Sequence, residues 1–138
     1  MANSNQKIVD KFFEAYSKHD MKGIGEVMHE DVKWFFIGQH PFAGIKNGID
    51  ELVSFFDTMG KMMGDSKPDI EKLIVCENEN YFIETSHIKT NRKDGINVDH
   101  QATVLWTIRG GKIIEGRHFF ADPVALDHYF TRVSGAVK

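Results

Sequence analysis

The chain contains 138 residues, 41% of them hydrophobic and 27% charged, a composition typical of one soluble globular domain over residues 1–138. The formal net charge is −3 at pH 7 and no more than two lysines or arginines are adjacent, which argues against a nucleic-acid or anionic-membrane partner. A polar start, a single cysteine and no apolar run of about 20 residues predict a cytoplasmic protein without a signal peptide, internal disulfide or membrane span.

Two helices are predicted at the start of the chain. Apolar and aromatic residues recur at spacings of three and four along residues 5–18, which is the pattern of an amphipathic helix. Asp20 can cap a second, short helix that carries Ile24, Val27 and Met28.

A strand, a loop and a third helix are predicted next. Residues 31–37 are rich in aromatic and β-branched side chains, which favour a strand. Residues 38–44 contain Pro41 and two glycines, which favour a loop. An apolar stripe along residues 47–63, with two acidic residues in the first turn, predicts a helix.

The remainder of the chain is predicted to be strand, apart from a final helical turn. The strands cover residues 69–77, 81–90, 96–108 and 112–120, and the helical turn covers residues 125–130. Helices followed by a long antiparallel meander predict an α+β fold, in which three N-terminal helices cover one face of a curved antiparallel sheet.

The hairpin at residues 110–111 decides which side chains of the last two strands share a face. A three-residue loop with a bulge would pair Ile108 with Lys112. That register places two histidines and three aromatic or apolar neighbours on one face: His100, Val104, Trp106, His118 and Phe120. A two-residue turn would direct His118 to the opposite face. We favour the three-residue loop, because it gathers the polar residues of both strands on the other side.

Four short motifs occur in a characteristic order: AYSKHD at residues 15–20, HEDV at 29–32, AGIKNG at 43–48 and WTIRGGKI at 106–113. Their order and spacing resemble the SnoaL-like, ketosteroid-isomerase-like branch of the nuclear transport factor 2-like superfamily over nearly the whole chain. The resemblance implies a cone-shaped, cystatin-like roll with a pocket at one end. It does not imply one function, because the superfamily includes isomerases, dehydratases, cyclases, epoxide hydrolases and non-catalytic binding modules.

The resemblance also allows known mechanisms to be compared residue by residue. Steroid isomerases use an aspartate base with a tyrosine and a protonated aspartate. The resemblance places these groups on Phe36, Phe12 and a position near Val104, so that chemistry is not expected. In polyketide cyclases a carboxylate near the end of the last strand acts as a base, and Asp122 lies close to that place.

His118 is the principal catalytic candidate. The ordinary pKa of a histidine is near neutrality, so the side chain could accept or donate a proton. The resemblance further implies that inward positions of the last strand line the cavity. His100 and Asp122 are the candidates to orient His118. The alternative is a core histidine that is hydrogen-bonded to a neighbour.

Six residues are candidates for ligand binding: Tyr16, Trp34, Phe36, His40, Trp106 and Phe120. Trp34 and Phe36 share a strand face and could supply an aromatic floor. Tyr16 could present a phenol to the pocket, and His40 lies in the loop expected at the pocket mouth.

Neither a metal nor a cofactor is predicted. The spacings of the histidines match no zinc motif, and His87, His100 and His118 could converge only if His87 points inward. The facing of residues 81–90 is ambiguous. Glu84, on the same segment, is expected to point outward; an inward Glu84 would have its pKa raised by burial toward that of a general acid.

These observations predict a protein with a small-molecule pocket. The first hypothesis is an isomerase-, cyclase- or dehydratase-type enzyme that uses His118 as acid and base on an apolar, carbonyl-bearing or polyketide-like molecule. The second is a non-catalytic ligand-binding or sensing module, and the third is a protein-association module. An exposed sheet face with Leu105, Ile113 and Phe119 predicts a homodimer through that face.

Overall fold

Four helices and one six-stranded sheet form the protein in the computed structural model, which describes residues 4–62 and 67–136. The helices are α1 (Ser4–Ser17), α2 (Met21–Val27), α3 (Gly48–Met62) and α4 (Pro123–Ala136). The strands are β1 (Met28–Phe36), β2 (Gly44–Asn47), β3 (Asp69–Glu77), β4 (Tyr81–Lys89), β5 (Asp99–Arg109) and β6 (Lys112–Phe120). The predicted end of the third helix at residue 63 lies outside the described residues.

The sheet has the strand order β2-β1-β6-β5-β4-β3. All neighbouring strands are antiparallel except β1 and β6, which are parallel, so the predicted antiparallel sheet is a mixed one. The α+β class and the curved sheet are confirmed. β1 pairs with β2 on one side and with the last strand, β6, on the other, and the second pairing brings the N-terminal half of the chain onto the hairpin of β5 and β6.

The predicted local signals hold at the start of the chain. α1 buries Val9, Phe12 and Ala15 along one face. The Asp20 carboxylate accepts a hydrogen bond from the backbone N–H of Gly23 at 3.0 Å and so caps α2 as expected. No helix in the described part of the chain combines the length and apolar composition needed to cross a bilayer.

Several elements differ from their predictions. Met28, expected in the second helix, begins β1, and β5 begins at Asp99 instead of residue 96. Residues 44–47 form strand β2, which is too short to give a periodic signal, and Gly48 with a φ of +87° makes the turn from β2 into α3. The expected final helical turn is the 14-residue helix α4. Its buried residues follow helical spacing: Leu126, Tyr129, Phe130 and Val133.

The hairpin between β5 and β6 has a two-residue turn, so the predicted three-residue loop is wrong. Gly110 and Gly111 have φ values of 58° and 78°, as a type I′ turn requires, and Arg109 pairs with Lys112. The register then shifts, because Ile108 pairs with Ile113 while Thr107 pairs with Glu115. Ile114 is the unpaired residue of a bulge.

The bulge reverses the facing that the two-residue turn alone would give. Beyond it, Trp106 pairs with Gly116 and Val104 pairs with His118, so His118 faces the same side as Val104. The predicted face of His118 is therefore correct although the predicted turn is not. Ile113, expected on the outer face, is fully buried instead.

Candidate functional site

A cavity of about 360 Å³ lies between the inner face of the sheet and helices α3 and α4. We call it the central cavity. Its walls are mostly aromatic and aliphatic, and the aromatic part includes Trp34, Phe36, Phe55, Phe56, Trp106 and Phe120. Its polar lining consists of Lys72, Glu84, Ser86, His100 and His118. A largely apolar cavity with a few polar groups is the usual form of a small-molecule site.

The strand register arranges the inner face in cross-strand rows. One row holds Glu84, Val104 and His118, on β4, β5 and β6 respectively. The next row toward the hairpin holds Phe82, Trp106, Gly116 and Trp34. Trp34 and Trp106 of the second row form the floor of the central cavity, and Val104, a smaller side chain, lies between Glu84 and His118.

Because Gly116 has no side chain, the Trp34 ring can pack directly against β6. A Cβ at this position would lie 2.0 Å from Cζ3 of Trp34, which is well inside van der Waals contact. The Trp34 ring therefore covers the β6 backbone and meets the Trp106 ring edge-on, with 4.8 Å between centroids. Its Nε1 is buried without a hydrogen-bond partner among the described residues.

His118 lies within an aromatic enclosure. Its ring centroid is 5.5 Å from that of Trp34 and 5.0 Å from that of Phe36, and both contacts are edge-to-face. Burial lowers the pKa of His118 to about 3, and the nearby His100 adds to the effect. The expectation of a pKa near neutrality is thus not met, because the sequence did not show how completely the ring is desolvated.

The described residues do not satisfy all the hydrogen-bonding groups of His118. Nε2 is buried and has no hydrogen-bond partner in the described part of the chain. His100 is similar, since its Nδ1 is buried without a described partner. Burial lowers the pKa of His100, Asp99 opposes that change and His87 reinforces it. Both imidazoles line the central cavity.

Glu84 points inward, in contrast to the outward orientation favoured from sequence. Its Oε2 accepts a hydrogen bond from Nε1 of Trp106 at 2.8 Å, and its Oε1 lies 3.2 Å from Nζ of Lys72. Neither partner could be anticipated from local periodicity, because each lies on a different strand.

His87, on the same strand, points outward and pairs with Asp99. The three-histidine arrangement considered for a metal therefore does not form. Within residues 4–62 and 67–136, no group of three or more potential ligands is placed to hold a metal ion.

Three candidate residues do not line the central cavity. Asp122 is exposed and caps α4, accepting a hydrogen bond from the backbone N–H of Ala125 at 3.1 Å. The hydroxyl of Tyr16 donates to Asp57 at 2.7 Å, and burial together with that carboxylate raises the pKa of Tyr16 to about 12.

His40 is the third of these residues and lies behind the cavity wall. Its ring is 4.7 Å from Phe130 and 5.5 Å from Phe36, measured between centroids, and both phenylalanines line the central cavity. Burial lowers the pKa of His40. The other candidates, His100, His118, Trp34, Phe36, Trp106 and Phe120, are brought together at the cavity.

Helices α3 and α4 supply lining residues that were read only as core or were missed. Phe55, Phe56 and Met59 of α3 and Leu126 and Phe130 of α4 reach the cavity. Their helical spacing is visible in the sequence, but spacing does not distinguish a packed core from the wall of a cavity.

The comparisons with known proteins agree with this architecture. The SnoaL-like domain family matches residues 9–116. The chain belongs to this family. An uncharacterized protein of Mycobacterium tuberculosis (strain ATCC 25618 / H37Rv) is 25% identical over 124 residues, which are 89% of this chain and 93% of that protein.

Solved structures share the fold at lower sequence identity. An NTF2-like protein from Burkholderia xenovorans LB400 has a TM-score of 0.77 and 22% identity, covering 94% of this SnoaL-like chain and 98% of its own. TerC, co-crystallized with polyporic acid, has a TM-score of 0.71 and 20% identity, covering 94% of this chain and 98% of TerC. A putative SnoaL-like polyketide cyclase from Jannaschia sp. CCS1 has a TM-score of 0.70 and 17% identity, covering 94% and 92%.

Proposed function

We propose that this SnoaL-like protein binds a small, mainly apolar molecule with a carbonyl or hydroxyl group in the central cavity. The observation that carries the proposal is His118, a polar ring set among aromatic side chains on the wall of a cavity of about 360 Å³. A buried polar group without a partner is costly, by about 1–3 kcal/mol, and a ligand oxygen could offset that cost.

The state of His118 limits its role. With a pKa of about 3, the imidazole is neutral at pH 7. A neutral imidazole can donate one hydrogen bond and accept another, which suits the oxygen of an uncharged ligand. It does not attract an anion by charge. The ligand is therefore expected to be uncharged at the His118 end.

Two of the structural relatives support this class of ligand. TerC was co-crystallized with polyporic acid, and the Jannaschia protein is a putative polyketide cyclase. By analogy of fold alone, a polyketide-like or aromatic molecule suits the aromatic walls of the central cavity.

Binding can be measured through the protein's own fluorescence. The chain has two tryptophans, Trp34 and Trp106, and both line the central cavity. 2-Naphthol should alter their emission in a saturable manner. Ala102→Phe fills the inner wall and should weaken binding about tenfold or more, whereas Gln101→Phe adds the same ring on the outer face and should leave the affinity unchanged. Equal affinities for the two variants would reject the proposed site.

A second candidate function is proton transfer on a carbonyl compound, and the presence of both imidazoles on one wall favours it. His118 would act as the acid and base, with His100 nearby to orient it. Wild-type protein should then accelerate deuterium exchange at the α-carbons of 2-tetralone in D₂O, followed by NMR. His118→Gln should abolish the acceleration and His128→Gln, which changes an exposed histidine, should not. If the wild type does not accelerate the exchange, the proton-transfer function is rejected and the proposal of ligand binding alone remains.

We also propose that the outer face of the sheet forms a homodimer. Ile74 and Phe119 are 60% and 47% exposed there and would be covered in such a dimer. Sedimentation equilibrium should give twice the chain mass for the wild type, and Phe119→Lys should shift the population toward the monomer. A monomeric wild type would contradict this.

A further inference from the structure

Glu84 is a second polar feature of the central cavity, separate from the two histidines. Its side chain is 13% exposed and belongs to the cavity wall. Two donors hold it in place, the indole N–H of Trp106 at 2.8 Å and the Lys72 ammonium at 3.2 Å. Because Trp106 is 1% exposed and fixed in the floor, the position of the carboxylate is also fixed.

This carboxylate retains unused capacity to accept hydrogen bonds. An ionised carboxyl group has about four lone-pair sites, and the described residues occupy two of them. Lys72 is 56% exposed on the edge strand β3, so one of these partners is on the solvent side. The remaining acceptor sites are the strongest acceptors on the cavity wall, since charge-assisted hydrogen bonds exceed neutral ones.

The register fixes the distance between Glu84 and His118. The two residues flank Val104 in one cross-strand row, on β4 and β6. Adjacent strands lie about 4.8 Å apart, so the two backbones are separated by roughly 10 Å, and the side chains of both point to the inner face. A molecule with one or two fused rings can span this gap above Val104.

We propose that Glu84 selects ligands that carry a hydroxyl donor, so that a phenol or enol is preferred over its ether and over a carboxylate. This inference rests on the proposed function and adds a second contact point to it. The hydroxyl donates to Glu84 while the opposite part of the ligand lies against neutral His118. A ligand carboxylate is repelled by Glu84, and Lys72 cannot compensate while it is paired with that residue.

Three naphthalenes of similar shape test the assignment: 2-naphthol, 2-methoxynaphthalene and 2-naphthoate. In the wild type, 2-naphthol should bind about tenfold more tightly than the ether, from one hydrogen bond to a charged acceptor, and 2-naphthoate should bind most weakly. Glu84→Gln keeps the shape and an acceptor oxygen but removes the charge. It should reduce the preference for 2-naphthol to about threefold or less and tighten 2-naphthoate about tenfold, because Lys72 becomes free to pair with it.

Glu71→Gln is the matched control, since it removes the same charge from an exposed residue on β3 that pairs with outward-facing His87. It should leave all three affinities unchanged. A purely structural role of Glu84 would weaken all three probes equally in Glu84→Gln, and that result would overturn the assignment. Equal binding of 2-naphthol and its ether by the wild type would overturn it while leaving the cavity function intact. Binding of none of the three would reject the proposed function itself.

Discussion

The two ends of the sheet make opposite kinds of cavity wall. On the β1 and β6 side, Trp34 covers Gly116 and the aromatic rings enclose His118, so the wall is closed and an imidazole there is held neutral. On the β3 side the strand is exposed along almost its whole length, and Ile70 and Lys72 reach both the cavity and the solvent. The closed wall determines the shape of the cavity and its uncharged lining. The open edge carries the charged side chain of Lys72 and is the side on which the cavity meets the solvent.

Gly116→Ala should cause the largest loss, because it breaks the closed wall. The added methyl group must displace the Trp34 ring, which is 1% exposed, or move β6. Overpacking of this kind should lower the free energy of unfolding by about 3 kcal/mol in urea denaturation.

The control for that variant is Gly25→Ala in α2, where a Cβ would meet no atom within 4 Å. It should be neutral or should stabilise the protein by up to about 1 kcal/mol, since alanine favours helix. A Gly116→Ala protein as stable as the wild type would show that the wall is not rigid.

The neutral state of His118 should appear as a dependence of stability on pH. Its pKa is about 6.5 in the unfolded chain and about 3 in the folded one, so below pH 6.5 the unfolded chain binds the extra proton. This contribution is fully present above pH 6.5 and is lost as the pH falls toward 3. Between pH 7 and pH 5 it should cost about 2 kcal/mol.

His118→Gln removes this titration, so its unfolding free energy should fall less than that of the wild type between pH 7 and pH 5. His128→Gln, at an exposed position, should follow the wild type. Parallel pH profiles for wild type and His118→Gln would show that folding does not lower the pKa of His118.

Ile70→Thr should have the smallest effect on stability, because it changes the open edge. Ile70 is 59% exposed, so the free energy of unfolding should stay within about 0.5 kcal/mol of the wild type. The affinity for 2-naphthol should nevertheless fall about threefold, because the side chain lines the cavity. Ile74→Thr, which changes an outward residue of the same strand, should not alter it.

Sequence periodicity was sufficient for most of the secondary structure. The predicted bounds of β3 and β6 coincide with those in the structure, and α1 differs by one residue at each end. These segments have a strong local signal, because each has either a regular apolar pattern along one face or recognisable turn residues at its ends. β2 has four residues and no such signal, and a parallel partner for β1 cannot be read from local pattern.

The site was less predictable, because its properties depend on contacts between distant segments. The inward facing of Glu84 is secured by Trp106 and Lys72, neither of which lies on the same strand. The low pKa of His118 arises from burial by β1 and α3 as well as by its own strand. Residue type indicated where chemistry could occur, while packing decided the charge state of the groups.

The bulge at Ile114 also has a consequence for how the hairpin can change in length. Ile113 and Gly116 both face inward, with Ile114 and Glu115 between them, so the strand there carries one residue beyond strict alternation. Removing Ile114 would give a regular ribbon with the same inward set. Adding one residue beside Ile114 would also restore regular alternation, because Ile113 and Gly116 would then be four positions apart, but it would move His118 from opposite Val104 to opposite Ala102. In this hairpin a deletion keeps the register, whereas an insertion keeps the faces and separates His118 from the row of Glu84.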